Sequence, residues 1–123
     1  IIGENPFGPV LGQLYDTQKI KNKVVEIRPV SKKSEIENCH LLFIAHSKEK
    51  ELADILSETK NKPVLTVGDT GGFAERGVLV NFTVSDNKIK LEINETAVRE
   101  SGLLINYRLF AVAKIIDPIG NNR

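Results

Sequence analysis

The chain has 123 residues, of which 41% are hydrophobic and 27% charged, and its formal net charge is +1. One domain of this length buries roughly two thirds of the surface of its unfolded chain, which is enough for a core without disulfides. The lysines alternate with acidic residues, which argues against a nucleic-acid partner, and the longest apolar runs are too short to span a bilayer.

The first part of the sequence predicts strands that alternate with helical segments. Ile1 and Ile2 read as the end of a strand, and 7–16 (FGPVLGQLYD) has apolar residues at helical spacing. The β-branched, alternating segment 23–30 (KVVEIRPV) predicts a strand that ends near Pro29. The continuous apolar run 40–45 (HLLFIA) is typical of a strand covered on both faces.

The middle of the sequence continues this alternation and then adds a hairpin. Ser47 is placed to cap a helix over 48–60, and 63–68 (PVLTVG) predicts another short strand. The alternating segments 78–84 and 88–94 are joined by Ser85-Asp86-Asn87, which is a good hairpin turn.

The last third predicts two helices. Asn94 can cap a helix over 95–101 that Gly102 ends. The apolar segment 103–116 (LLINYRLFAVAKII) predicts a final core helix, in which Leu104, Tyr107 and Ala111, with Leu103 and Phe110 beside them, lie within one broad apolar face. A polar tail, 117–123, follows.

This element order predicts an α/β fold. Strands separated by helices pair in parallel through right-handed crossovers, and the hairpin adds antiparallel strands at one edge. We therefore expect a three-layer sandwich around a mixed sheet, with 1–123 forming a single domain. Because Ile1 and Ile2 have the character of a strand end, the start of the first strand is expected to be missing from the chain.

Residues 64–77 (VLTVGDTGGFAERG) form a glycine-rich loop without a phosphate-binding pattern. No Lys-Ser or Lys-Thr pair follows the glycines, and their spacing does not match a dinucleotide loop. We expect a structural turn in which Gly71 or Gly72 has positive φ and Phe73 points inward. Asp69 is expected to accept hydrogen bonds from the loop backbone.

The carboxyl ends of the predicted parallel strands form the candidate ligand site. Ligands of open α/β sheets bind beyond these ends, so side chains from three loops are expected to meet there. We call this set the carboxyl-edge groove, and it consists of Glu4, Asn5, His46, Ser47, Asp69, Thr70, Gly72 and Phe73.

The sequence predicts no metal site, no cofactor and no catalytic residue. His40 and His46 flank one strand and lie roughly 20 Å apart at the rise of an extended chain, so they cannot share a metal. Cys39 has no partner for a disulfide within the chain, and a small buried side chain is its expected role.

Read together, several stretches resemble the YfiR family of bacterial signalling proteins, the YfiR/HmsC-like regulators. They run in family order from Ile2 to Lys114, and the pairing of LTVGDTGGFAERG (65–77) with LEIN (91–94) is the most specific of them. The resemblance implies a periplasmic or otherwise extracytoplasmic α/β domain without enzyme activity. It also implies a further helix before the first strand, and we expect that helix to be missing from this chain.

The resemblance implies a non-enzymatic regulator that binds the periplasmic part of a membrane-bound diguanylate cyclase or a sensor kinase. Two alternatives remain open: a small-ligand sensor that uses the carboxyl-edge groove, and an enzyme working from Asp69 and His46. A homodimer is also expected, because the apolar surface left at the start of the chain would be covered by a second copy. A regulator predicts an exposed apolar patch, whereas a sensor predicts a closed polar and aromatic pocket.

Overall fold

The structure is a computed structural model that describes residues 1–15, 19–20 and 22–116. A small antiparallel ribbon comes first, followed by a main sheet of five strands that lie side by side in chain order. The strands are β1 (Lys19–Ile20), β2 (Lys23–Val24), β3 (Leu41–Ile44), β4 (Leu65–Gly68), β5 (Val80–Ser85), β6 (Lys88–Asn94) and β7 (Lys114–Ile116).

Four α-helices accompany these strands in the described part of the chain. They are α1 (Val10–Tyr15), α2 (Leu52–Thr59), α3 (Glu95–Ser101) and α4 (Tyr107–Val112), with 3₁₀ helices at Lys33–Glu35 and His46–Glu51. The predicted helices over 7–16, 48–60 and 95–101 are therefore confirmed in the residues described. The tail 117–123 lies outside the described residues.

The main sheet is mixed, as predicted. β3 pairs with β4, β4 with β5 and β6 with β7 in parallel, whereas β5 and β6 are antiparallel. Asp86 and Asn87 form the turn of the β5–β6 hairpin with φ of 53° and 60°, and the matching left-handed values are those of a tight two-residue turn.

Ile2 extends the sheet beyond β3 through isolated parallel bridges to Ile44 on one side and Val30 on the other. The prediction of a strand end at Ile1 and Ile2 is thus supported. The predicted strand over 23–30 is largely wrong, since only Lys23 and Val24 pair as a strand. The bridge forms at Val30, just after Pro29, because proline has no N–H to donate to a ladder.

Helices cover both faces of the sheet, which confirms the three-layer α/β architecture. On one face, Leu42 and Ile44 of β3 form a core with Leu52 and Ile55 of α2. On the other face, side chains of β5 and β6 pack against α3, α4 and the segment between them, through Val80, Ile93, Val98, Leu103, Ile105 and Phe110. Successive side chains of a strand point to opposite faces, so alternate positions of a strand belong to the two sides of the sheet.

The predicted final helix over 103–116 is wrong in its extent. Only Tyr107–Val112 is helical, because Asn106 caps it by accepting a hydrogen bond from the N–H of Arg108 at 2.9 Å. Lys114–Ile116 instead forms β7, whose β-branched residues gain ladder bonds to β6. Of the five predicted core residues, Leu104, Tyr107 and Ala111 are exposed rather than buried, and Leu103 and Phe110 are partly buried.

Candidate functional site

The glycine-rich loop, residues 69–79, connects the parallel strands β4 and β5. Gly72 has φ of +87° and Phe73 is fully buried, so both predictions for these residues are confirmed. Gly68 precedes the loop, and a Cβ there would lie 2.8 Å from Cδ2 of Phe73. The loop is therefore folded tightly around the Phe73 ring, as a structural turn requires.

Asn81 of β5, and not Asp69, provides the side-chain hydrogen bonds to the start of this loop. Its Nδ2 donates to the carbonyl of Thr70 at 2.8 Å, and its Oδ1 accepts from the N–H of Thr70 at 3.3 Å. Asp69 is exposed and makes no such bond among the described residues, so the prediction for Asp69 is wrong. A fully buried amide reaches the backbone without the desolvation cost of a carboxylate.

A second buried asparagine holds the middle of the same loop. Nδ2 of Asn94 donates to the carbonyl of Ala74 at 2.8 Å, while Oδ1 accepts from the N–H of Ala97 at 3.0 Å. Asn94 therefore caps α3, as predicted, and holds the loop at the same time. Gly102 ends α3 with φ of +79°, which also agrees with the sequence.

Glu4 and Ser47 are carboxyl-edge residues that the structure joins across distant parts of the chain, whereas Thr70 and Phe73 are joined within the loop, where the N–H of Phe73 donates to the Thr70 carbonyl at 3.2 Å. The N–H of Glu4 donates to Oγ of Ser47 at 2.9 Å. The prediction that Ser47 caps a helix is wrong, since Ala45 is the N-cap of the 3₁₀ helix that begins at His46 and no side chain bonds to it. Glu4 and Ser47 line an open depression of about 610 Å³ together with Gly3, Pro29, Val30, Ser31 and Lys48.

The other residues of the predicted groove are placed differently. Asn5 folds back on its own turn by accepting from the N–H of Phe7 at 2.8 Å. The His46 side chain is 73% exposed, with Nδ1 4.0 Å from a carboxylate oxygen of Glu49. Thr70 and Phe73 lie in the interior, and Gly72 is half-buried. The carboxyl edge thus presents an open depression beside a packed loop, rather than one enclosed pocket.

Two charged side chains at and beside the depression, Lys48 and Glu35, have partners within the chain. Nζ of Lys48 lies 3.1 Å from Oε2 of Glu51. Oε1 of Glu35 accepts hydrogen bonds from Oγ of Ser31 at 2.7 Å and from the backbone N–H groups of Ser31 and Lys32. The hydrogen bond from the Ser31 hydroxyl is the main reason that the pKa of Glu35 lies below its ordinary value.

The described residues contain neither a group of metal ligands nor a membrane-spanning helix. Within 1–15, 19–20 and 22–116, no three His, Cys, Asp or Glu side chains are grouped so that they could hold a metal ion. No helix in this part of the chain has the length and apolar character needed to cross a membrane.

The β5–β6 hairpin presents an apolar face to water. Val84 and Ile89 are directly paired across the two strands and are 74% and 76% exposed, and Phe82 pairs with Leu91 beside them. We call these four residues the hairpin face. The opposite side of the same strands carries Thr83, Ser85, Lys88 and Lys90, so the hairpin is strongly two-sided.

The sequence predicted Asn94 as a helix cap but not as a second anchor of the loop, and it did not predict Asn81 as the brace of the loop. A detectable signal existed at Asn81, which interrupts the apolar run of 78–84 (VLVNFTV). Asparagine is disfavoured in strands, and a buried amide must find hydrogen-bond partners.

The chain therefore folds as a small α/β domain with an exposed apolar hairpin face and a glycine-rich loop that is held by two buried asparagines. The family model of YfiR/HmsC-like proteins matches residues 1–114, and the chain belongs to this family. The resemblance seen in the sequence is thereby confirmed. No curated protein matches the chain.

Proposed function

We propose that this chain is an extracytoplasmic regulator that works by binding a partner protein. Membership of the YfiR/HmsC-like family supports a regulatory role and a periplasmic location. The partner class that follows from the family is the periplasmic part of a membrane-bound diguanylate cyclase or of a sensor kinase. In this proposal the chain acts as one domain and carries out no reaction.

The hairpin face is the observation that supports partner binding most directly. Four apolar side chains, Phe82, Val84, Ile89 and Leu91, form two cross-strand pairs on one face of β5 and β6. Soluble monomers rarely expose large contiguous apolar patches unless these patches bind something. An aromatic side chain among aliphatic ones also agrees with the composition of interface centres.

Complementation in the bacterium that carries the gene tests this proposal. Deletion should change the output of the partner, which is cellular cyclic di-GMP for a cyclase and the phosphorylation signal for a kinase. The wild-type chain should restore that output, whereas Val84→Glu combined with Ile89→Glu should not. Ser85→Glu is the matched control, because Ser85 is exposed on the opposite side of the same strand.

The double variant and the Ser85→Glu control must accumulate to equal levels and melt at the same temperature for the comparison to hold. Full restoration by the double variant would show that the hairpin face does not bind the partner. An unchanged signal after deletion of the gene would contradict the regulatory role itself.

The open depression near Ser47 favours a second candidate function, the sensing of a small polar ligand. Its lining combines two hydroxyl groups, Ser31 and Ser47, with the charged groups of Glu4 and Lys48. A ligand that binds only the folded chain must raise its melting temperature. Screening small polar metabolites by thermal shift, with Lys48→Gln as the comparison, would detect such a ligand, and a screen without any shift would count against a sensor.

A further inference from the structure

The β5–β6 hairpin extends beyond the strands on either side of it. β4 pairs with β5 only as far as Asn81, and β7 pairs with β6 only over 92–94. In the described part of the chain, the ends of the hairpin, 82–85 and 88–91, therefore pair as strands only with each other. We call the outer side of 88–91 the β6 edge. An edge of this kind offers main-chain hydrogen-bonding groups to another chain.

The hydrogen-bond pattern of the hairpin determines which backbone groups face the β6 edge. Directly opposed residues of an antiparallel pair alternate between exchanging both backbone bonds and exchanging none. The N–H of Asn94 donates to the carbonyl of Leu79 at 2.9 Å, which identifies the bonded pairs of this ladder. Every second residue before Asn94 therefore bonds to β5, whereas Ile89 and Leu91 direct their N–H groups outward. These two N–H groups and the carbonyl of Ile89 have no backbone partner among the described residues.

The side chains along the β6 edge differ between its two faces. Ile89 and Leu91 belong to the apolar hairpin face, whereas Lys88 and Lys90 project from the opposite face and are exposed. Neither lysine forms an ion pair with another residue of 1–15, 19–20 or 22–116. The β6 edge is thus apolar on one side and positively charged on the other.

The lysines also indicate which kind of chain can occupy the β6 edge. Antiparallel pairing with the same edge of a second copy would bring lysines of both copies together, and like charges that face each other destabilise a strand pair. Lysines on edge strands are a common protection against such pairing. An acidic strand, in contrast, gains opposite-charge pairs at the same positions. The charge of the β6 edge therefore favours an acidic partner over a second copy.

We propose that the partner protein adds an extended acidic segment to the β6 edge as a further strand. This inference rests on the proposed function, since it specifies how the partner of the regulator is recognised. Apolar side chains of the added strand cover the hairpin face, and they alternate with Asp or Glu side chains that lie beside Lys90. The backbone of the added strand bonds to the outward groups of Ile89 and Leu91, which supply affinity while the side chains supply specificity.

Hydrogen exchange and a peptide titration, both followed by NMR on the intact chain, test this proposal. In the free chain, the amide protons of Ile89 and Leu91 should exchange about tenfold faster than those of Lys88 and Lys90, which are bonded to β5. A short peptide in which valine and glutamate alternate should slow exchange at the two outward amides. A peptide of the same composition, with its valines and glutamates in separate blocks, is the control and should not slow it.

Two proline variants separate main-chain pairing from side-chain contact. Ile89 and Val84 form one cross-strand pair whose N–H groups both face away from the hairpin, so a proline at either position removes no bond between β5 and β6. Ile89→Pro should weaken peptide binding about tenfold or more and should fail in the complementation experiment. Val84→Pro is the matched control, because it removes a donor only at the outer side of β5, and it should retain both activities.

A charge reversal tests the acidic character of the added strand. Lys90→Glu should weaken binding of the valine–glutamate peptide about fivefold or more and should improve binding of the matching valine–lysine peptide. Lys62→Glu makes the same change at an exposed lysine outside the hairpin and should leave both affinities unchanged.

Contrary results would overturn the added strand and leave partner binding intact. Restoration by both proline variants, with failure of the double glutamate variant of the hairpin face, would show that the partner contacts side chains only. Loss in Val84→Pro alone would place the added strand on β5. Equal binding of the glutamate and lysine peptides to the wild type would contradict an acidic segment. An unchanged signal after deletion of the gene would instead contradict the proposed function, together with the inference that rests on it.

Discussion

Asn81 and Thr70 are joined by two hydrogen bonds that cross eleven residues of sequence. The amide of Asn81 donates to the Thr70 carbonyl at 2.8 Å and accepts from the Thr70 N–H at 3.3 Å. Nδ2 also reaches a carboxylate oxygen of Glu92 at 3.2 Å, so the strand pair and the loop share one polar centre. The glycine-rich loop is thus held by β5, the strand that it leads into.

Replacing Asn81 should therefore destabilise the domain through the loop. Asn81→Leu leaves the N–H and the carbonyl of Thr70 without this partner in the interior, and we expect a loss of about 2–4 kcal/mol in the free energy of unfolding. Urea denaturation measures it. A loss below about 0.5 kcal/mol, the range of neutral surface changes, would show that the two bonds do not hold the loop.

The variant Asn81→Asp tests the same hydrogen bonds through the pH dependence of stability. The aspartate keeps the acceptor for the Thr70 N–H but loses the donor and brings a second carboxylate beside Glu92. We expect the variant to be less stable than the wild type at neutral pH, with the difference shrinking in acid as the new carboxyl gains a proton. A difference that does not depend on pH would contradict this account.

The two adjacent glycines of the loop should differ in their tolerance of a side chain. Gly72 has φ of +87°, whereas a Cβ on Gly71 would meet no atom within 4 Å and Gly71 does not have positive φ. Gly72→Ala should cost about 1–2 kcal/mol of stability through backbone strain alone. Gly71→Ala is the control and should change stability by less than about 0.5 kcal/mol in the same thermal denaturation experiment. Equal losses of stability in Gly72→Ala and Gly71→Ala would contradict the assignment of the cost at Gly72 to its positive φ.

Substitutions in α4 and in the segment before it should have small effects on stability. Phe110 is only half-buried, so Phe110→Ala should cost about 1–2.5 kcal/mol, less than the 3–5 kcal/mol of a fully buried phenylalanine. Leu104→Ser should leave the melting temperature of the monomer unchanged, because its side chain is exposed. A cost for Phe110→Ala in the fully buried range would restore the interpretation of α4 as a core helix.

Glu35 should contribute to stability only above acidic pH. Its pKa is lowered in the folded chain, chiefly by the hydrogen bond from the Ser31 hydroxyl. A lowered folded-state pKa gives stability that is present above the unfolded-state pKa and is lost as pH falls through the folded-state value. NMR titration of the Glu35 side-chain carboxyl should show the low pKa, and Ser31→Ala should raise it. A pKa that is the same in both chains would contradict the assigned cause.

The local structure of this protein could be predicted from its sequence because the signals act between neighbouring residues. Asp86 and Asn87 favour positive φ and form the turn between two alternating segments. Asn94 caps α3 and Gly102 ends it through bonds that span three or four positions. The apolar run of β3 likewise predicted a buried strand, since its burial follows from its own composition.

Tertiary structure decided the conformation of segments whose local preference was ambiguous and of residues whose hydrogen-bond partners are distant in sequence. The apolar segment 103–116 suits a helix as well as a strand, and only pairing with β6 makes Lys114–Ile116 extended. Val30 pairs with Ile2, and Asn81 bonds to Thr70, through registers that no local pattern encodes. Local backbone preferences depend on adjacent side chains, whereas hydrogen-bond partners far along the chain depend on how the strands align. The sequence alone therefore determined the hairpin turn, the Asn94 cap and the strands β3 to β6, and the assembled sheet decided the loop brace, the last strand and which apolar side chains remain in water.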